Sequence, residues 1–127
     1  KNAMVMGTGN KVEDYGIGFF TKFGDGAVDL SPIGELYKSE VYALGRELWI
    51  SEAILWARPT DGLHPSWATD EDQIGATYDE LEWAMVEYDE GKREKDFSGR
   101  AAEVMKIYTA RHEGNAHKME MPPVFSL

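Results

Sequence analysis

Glu13, Lys22, Asp29 and Lys38 stand in one glycine-rich stretch, Gly7–Lys38, with Thr8 five residues ahead of Glu13. The stretch follows a short apolar run, Ala3–Met6. Two cations and two carboxylates after a strand end make a plausible surrounding for a nucleotide with magnesium. Lysines offset phosphate charge, carboxylate oxygens suit a hard divalent cation, and ligands of open α/β sheets sit beyond the carboxyl ends of strands. Taken singly, each residue is a solvated surface charge, and position in a fold is only a prior for function. Gly7-Thr8-Gly9 does not continue into a dinucleotide fingerprint: the third glycine would fall at Val12, and no amphipathic helix follows. Gly16-Ile17-Gly18 fails in the same way, and no phosphate-loop lysine motif occurs.

Other constellations have plainer readings. Asp70-Glu71-Asp72 and Asp79-Glu80-Glu82 have the residue types of metal ligands. Carboxylates also gather at helix N-termini, where the positive end of the dipole favours them, and that reading is the commoner one. His112 and His117 are five apart rather than four, which places the imidazoles on different helix faces, so a zinc-protease helix is set aside. His64 stands alone in a loop and reads as solvated; Asp25 reads as a turn residue between two glycines.

Composition narrows the classes. The 127 residues suffice for one domain with a real core. With 43% apolar and 28% charged residues the chain is an ordinary globular sequence, and no apolar run is long enough to span a bilayer. Absence of cysteine removes disulfides, thiolate nucleophiles and cysteine-held metals, and fits a reducing cytoplasm. The net charge of −10 resides in Pro59–Gly91, which has ten Asp or Glu and no Lys or Arg. Long nucleic acid, which rewards clustered cations, is a poor partner for such a chain.

The elements that must position these residues are legible in outline. Ala3–Met6 reads as a strand buried on both faces. Residues 8–30 read as largely irregular, with a short extended piece at 17–20. Ser31-Pro32 has the form of a helix start, and Ile33, Leu36, Tyr37, Val41, Leu44 and Leu48 then recur at helical spacing. Ser51 caps a short helix ending at Trp56, and 58–68 reads as a loop or lid. Thr69 caps one turn over 70–74. Thr77 and Glu80 form a capping box ahead of Leu81, Ala84, Met85 and Tyr88. A last helix, 98–112, points Ala101, Val104, Met105 and Tyr108 inward and stops at Gly114-Asn115.

These residues together resemble the ammonia-dependent NAD synthetases, amide ligases of the ATP-pyrophosphatase group. The resemblance rests on Gly7-Thr8-Gly9-Asn10 with Glu13, the run Gly18–Gly26, and Asp29 with Pro32-Ile33 and Leu36-Tyr37-Lys38. It continues through Pro59–Leu63, Thr69–Asp72 with Gly75, and Asn115–Met119. It implies an α/β protein, of which this chain is the C-terminal part of a doubly wound parallel-sheet (Rossmann-like) domain, mostly helical with one or two short strands. It also implies roles: Thr8, Lys38 and Thr60 toward ATP, Glu13 toward Mg2+, and Lys22, Asp29, His117 and Lys118 toward deamido-NAD. The implied reaction activates the nicotinate carboxylate as an acyl-adenylate, from which ammonia displaces AMP. The family's Ser-Gly-Gly-x-Asp-Ser loop, which grips ATP and carries a second magnesium carboxylate, has no counterpart here. The chain is therefore expected to hold part of an active site and to be inactive alone, with a homodimer expected for the full-length protein. Two alternatives remain open: the synthetase region of a glutamine-dependent enzyme, or a non-catalytic truncated interaction or dimerisation module.

Overall fold

The computed structural model describes residues 2–60 and 68–126. The elements in order are a six-residue π-helix, Lys11–Gly16, then α1 (Lys38–Glu47), α2 (Glu52–Leu55), α3 (Asp70–Ile74), α4 (Tyr78–Asp89), a single 3-10 turn at Glu94–Asp96, and α5 (Gly99–Met119).

The core forms where α4 and α5 pack against each other and against the π-helix. Leu81, Ala84 and Met85 meet Val104, Met105 and Tyr108, with Val12 and Ile17 closing one side and Ile74, Ala76 and Tyr78 another. The i, i+3, i+4 spacing of the first set and the i, i+1, i+4 spacing of the second make these apolar stripes. α4 starts because Thr77 accepts from the Glu80 amide while the Glu80 carboxylate accepts from the Thr77 amide. α3 repeats the device with Thr69 and Asp72, and ends at Gly75 in the left-handed conformation, φ 88°. Trp83 and Phe97 meet edge to face at 5.0 Å beside this core.

Four expectations change. Ala3–Met6 is not a two-sided buried strand: it makes one parallel bridge, Met6 to Leu30, and Met4, Val5 and Met6 remain exposed. With one neighbouring segment among the described residues, neither face of the run finds packing.

The helix expected from Ser31 begins at Lys38. The Leu36 carbonyl, which would accept from Glu40 in a continuous helix, is taken by the Lys11 amide, and the Glu40 carboxylate instead holds the Tyr37 amide. Residues 11–16 are helical rather than irregular, nucleated by Asn10, whose side chain accepts from the Glu13 amide.

Finally, α5 does not stop at Gly114-Asn115 but continues to Met119. A glycine inside a helix costs about 1 kcal/mol relative to alanine. The polar bonds that the last two turns make to residues 17–20 outweigh it. Of the expected lid at 58–68, residues 61–67, including His64, lie outside the described residues.

Candidate functional site

α5 is threaded onto the glycine-rich loop by a row of polar side chains. His112 Nδ1 lies 2.6 Å from the Gly16 carbonyl, Asn115 Nδ2 donates to Ile17 O at 2.9 Å, and Lys118 Nζ donates to Gly18 O at 2.9 Å and Phe20 O at 3.0 Å. Three side chains on one side of the helix thus hold consecutive carbonyls of the loop. Gly18 permits this approach: its φ is +59°, and a Cβ there would fall 2.5 Å from the Asn115 Cβ. From the other direction Lys22 donates to the carbonyls of His117 and Glu120, satisfying orphan acceptors at the C-terminal end of α5.

The loop, α5 and α3 enclose one side of an open cavity of about 740 Å³. Glu13, Thr60, Asp70, Arg111, Asn115 and Lys118 contribute polar groups to its wall, and Phe19 and Phe20 contribute rings. Arg111 ties the wall together by donating to the Gln73 carbonyl at 2.9 Å, with its guanidinium over the Phe19 ring. A smaller adjoining cleft of about 70 Å³ is bordered by Thr8, Gly9, Glu13, Asp14, Phe19 and Asp25.

At the junction of the two lies a charged cluster. Asn10, itself buried, donates to Glu13 Oε2 at 2.6 Å and so fixes the carboxylate. Lys38 Nζ stands 4.0 Å from the same oxygen and 4.7 Å from the centre of the Tyr78 ring. The Tyr78 hydroxyl reaches both Glu13 Oε1, at 3.4 Å, and Asp70 Oδ2, at 3.1 Å. Burial pushes the Glu13 carboxyl above its ordinary range, opposed by the Lys38 cation and reinforced by the Asp70 and Asp14 charges. Burial, with Glu13 and Asp70 beside it, likewise pushes the Tyr78 phenol far up, so that Tyr78 remains a hydrogen-bond donor.

The residues singled out from the sequence are distributed unevenly. Glu13, Thr60 and Lys118 border the large cavity, Lys38 joins them through Glu13, and Thr8 borders the adjoining cleft. Lys22 sits at the C-terminal end of α5, where the backbone of His117 rather than its exposed imidazole makes the contact. Asp29 lies elsewhere, its carboxylate accepting from the Val5 amide at 2.8 Å beside the Met6–Leu30 bridge. Four residues of the arrangement escaped the sequence reading: Tyr78, Arg111, Asn115 as a loop anchor, and Asp70, which read as helix-capping charge. Asp70 carried a signal in its place among three consecutive carboxylates, and Asn115 in the Asn115–Met119 stretch of the resemblance, but Tyr78 and Arg111 carried none. The burial of Asp70, 4% exposed, distinguishes it from Asp72, which caps Thr69 and is not buried.

A mostly helical chain whose glycine-rich loop, fixed by a helix, gathers carboxylates and lysines around an open cavity is equipped for polyanionic ligands and a hard cation. Comparison with known proteins makes the class specific. The family model for NAD synthase matches residues 1–122, and the chain belongs to that family. It is 40% identical over 126 residues to the NH(3)-dependent NAD(+) synthetase of Methanosarcina acetivorans, covering 97% of this chain and 48% of that protein. It is 42% identical over 123 residues to the enzyme of the same name from Archaeoglobus fulgidus, covering 97% and 47%. Among solved structures, NMN synthetase from Francisella tularensis superposes with TM-score 0.76 at 35% identity, over 99% of this chain and 48% of that one. The NH3-dependent NAD synthetase from Campylobacter jejuni superposes with TM-score 0.68 at 26% identity, over 99% and 46%. The chain therefore spans about half the length of the relatives it matches, and its helices and the Met6–Leu30 bridge are part of their α/β fold.

Proposed function

We propose that this chain is the C-terminal part of an ammonia-dependent NAD synthetase domain and supplies half of its active site. The full-length enzyme would amidate deamido-NAD to NAD with ATP and ammonia. The observation that supports this most is the convergence of Glu13, Thr60 and Lys118, from three separated segments, on one cavity with Lys38 beside Glu13.

In this reading Thr8, Lys38 and Thr60 meet ATP. Lys22, Asp29, His117 and Lys118 meet deamido-NAD, and Glu13 holds Mg2+. The donor set suits that ion, which takes one or two carboxylates together with substrate phosphates and several waters rather than a full protein cage. Among the described residues no group of three or more His, Asp or Glu forms such a cage. When bound, the ion would offset negative charge on the triphosphate as pyrophosphate departs.

The chain's own residues account for the remainder. A carboxylate is a poor acyl donor until it carries a good leaving group, and transfer of AMP from ATP to the nicotinate carboxylate provides one. Lys38 adds positive charge near the departing phosphates, and the Thr60 hydroxyl donates to a phosphate oxygen. Lys22 and Lys118, now bonded to backbone carbonyls, are donors positioned to exchange those partners for the phosphates or carboxylate of the dinucleotide. Ammonia attacks the acyl carbon and AMP leaves, so no nucleophilic side chain is needed and positioning carries much of the rate. A cytoplasmic homodimer is the assembly that goes with this reading.

The likeness to the NMN synthetase of Francisella tularensis motivates a second reading, in which NMN rather than NAD is the product. The experiment is a product assay on the full-length protein with ATP, magnesium and ammonium, offered either the deamidated dinucleotide or the deamidated mononucleotide. NAD formed with ammonium and not with glutamine is the expected result. NMN alone would replace the substrate assignment, and no amide product from either would overturn the reading. The 127-residue chain alone should form none, and turnover by it would overturn the half-site assignment.

A further inference from the structure

Among the described residues, three buried side-chain oxygens lack a hydrogen-bond partner: Asp70 Oδ1, Tyr108 Oη and Thr109 Oγ1. Of these residues only Asp70 belongs to the wall of the large cavity, where it is 4% exposed. An unsatisfied buried acceptor is expensive, and more so when it belongs to a carboxylate. The helix-capping explanation does not cover it. The carboxylate that caps Thr69 is that of Asp72, not that of Asp70. The second Asp70 oxygen instead accepts from Tyr78, whose hydroxyl also reaches Glu13. Two carboxylates from distant parts of the chain are thus brought to one hydroxyl, with Lys38 the nearby cation on the Glu13 side.

From this juxtaposition we infer that Asp70 is a second carboxylate of the divalent-cation site, acting with Glu13. The inference rests on the reading of Glu13 as a magnesium ligand and extends it to a residue 57 positions later in the chain. A hard divalent cation is the ligand class that fits: it takes oxygen donors, accepts one or two carboxylates, and supplies the positive charge that the Asp70 oxygen lacks. The consequence is that this half of the active site has cation affinity of its own, before any phosphate loop is added.

Mn2+, a spectroscopic substitute for Mg2+, is the probe. Titration of the 127-residue chain followed by electron paramagnetic resonance should show Mn2+ bound, and Asp70→Asn and Glu13→Gln should each weaken it at least about tenfold. Asp79→Asn, which removes an exposed carboxylate of the same acidic stretch, should leave binding unchanged. A second measurement needs no variant: substoichiometric Mn2+ should broaden the carboxylate 13C resonances of both Glu13 and Asp70 in the wild-type chain. Broadening at Glu13 alone, or wild-type affinity in Asp70→Asn, overturns the role of Asp70 and leaves Glu13 as a ligand. Broadening at neither overturns both assignments.

Discussion

α1 and α4 are both amphipathic helices of ten to twelve residues, yet they end in opposite circumstances. α4 buries Tyr78, Leu81, Ala84 and Met85, because α5 and the π-helix present complementary apolar surfaces. α1 buries nothing fully. Leu44 on it, and Leu48, Trp49, Ile54 and Trp56 beyond its end, are all exposed. The same 3.6-residue pattern has therefore two meanings in one chain. In α4 it records a partner within these residues; in α1 it records surface that these residues do not cover. The candidate site residues straddle the divide, with Lys38 opening the loosely packed helix and Asp70 and Lys118 on the well-packed side.

The strongest way to break this comparison is to truncate both sides. Leu81→Ala removes a fully buried side chain of α4 and should cost about 2–5 kcal/mol of unfolding free energy. Leu44→Ala, on the exposed face of α1, should change stability by no more than about 0.5 kcal/mol. Urea unfolding of the two variants decides the matter, and equal losses would mean that α1 is packed as tightly as α4. A smaller effect belongs to the capping box. Thr77→Ala removes the acceptor for the Glu80 amide and should cost about 1 kcal/mol, readable as a lower urea midpoint at unchanged slope.

The capped side of the molecule was also the legible side. Thr69 and Thr77 mark the starts of α3 and α4 in the sequence, because an N-cap is a contact between residues three apart and needs nothing distant. The apolar stripes of α4 and α5 follow for the same reason. What could not be read were decisions made by long-range bonds. Leu36 loses its helical role to Lys11, and α5 crosses Gly114 because Asn115 and Lys118 find carbonyls about a hundred residues earlier. The candidate site divides along the same line. Glu13 and Lys38 stood out by residue type in the glycine-rich stretch, and Thr60 and Lys118 entered only through the family resemblance, while Tyr78 carries no local mark of the two carboxylates it joins.

The acidic side should also show itself in pH dependence. Both nitrogens of one edge of the Arg100 guanidinium donate to Glu80 at 2.8 Å. With help from the Thr77 amide, they hold the Glu80 carboxyl down at about 2. In the unfolded chain a glutamate titrates near about 4.3. A depressed folded value means that the contribution is fully present above the unfolded value and is lost as pH falls from there toward about 2. The stability gap between wild type and Glu80→Gln should therefore be widest above about pH 5 and narrow steadily on acidification. Because both side chains are substantially solvated, the gap should also shrink with added salt. A gap independent of pH between about 5 and about 2 would show that Arg100 does not hold Glu80 in solution.

The smallest expected change probes the loosely packed side where α1 ends. The Trp49 amide donates to Arg46 O at 3.1 Å and the Ile50 amide to Gly45 O at 3.0 Å, bonds that close the helix through a left-handed residue. That residue is Trp49, with φ 57°, where glycine is the usual occupant. The left-handed conformation costs a residue with a Cβ roughly 1–2 kcal/mol. Glycine avoids this cost but surrenders about 0.5–1 kcal/mol through its freer unfolded chain. With its side chain 93% exposed, Trp49 has almost no packing to lose. Trp49→Gly should therefore raise stability by up to about 1 kcal/mol. Trp49→Ala, which keeps the strain and removes the ring, should leave it nearly unchanged. Loss of stability in both variants would mean that the indole is packed in solution, and the contrast between α1 and α4 would then not hold at this corner.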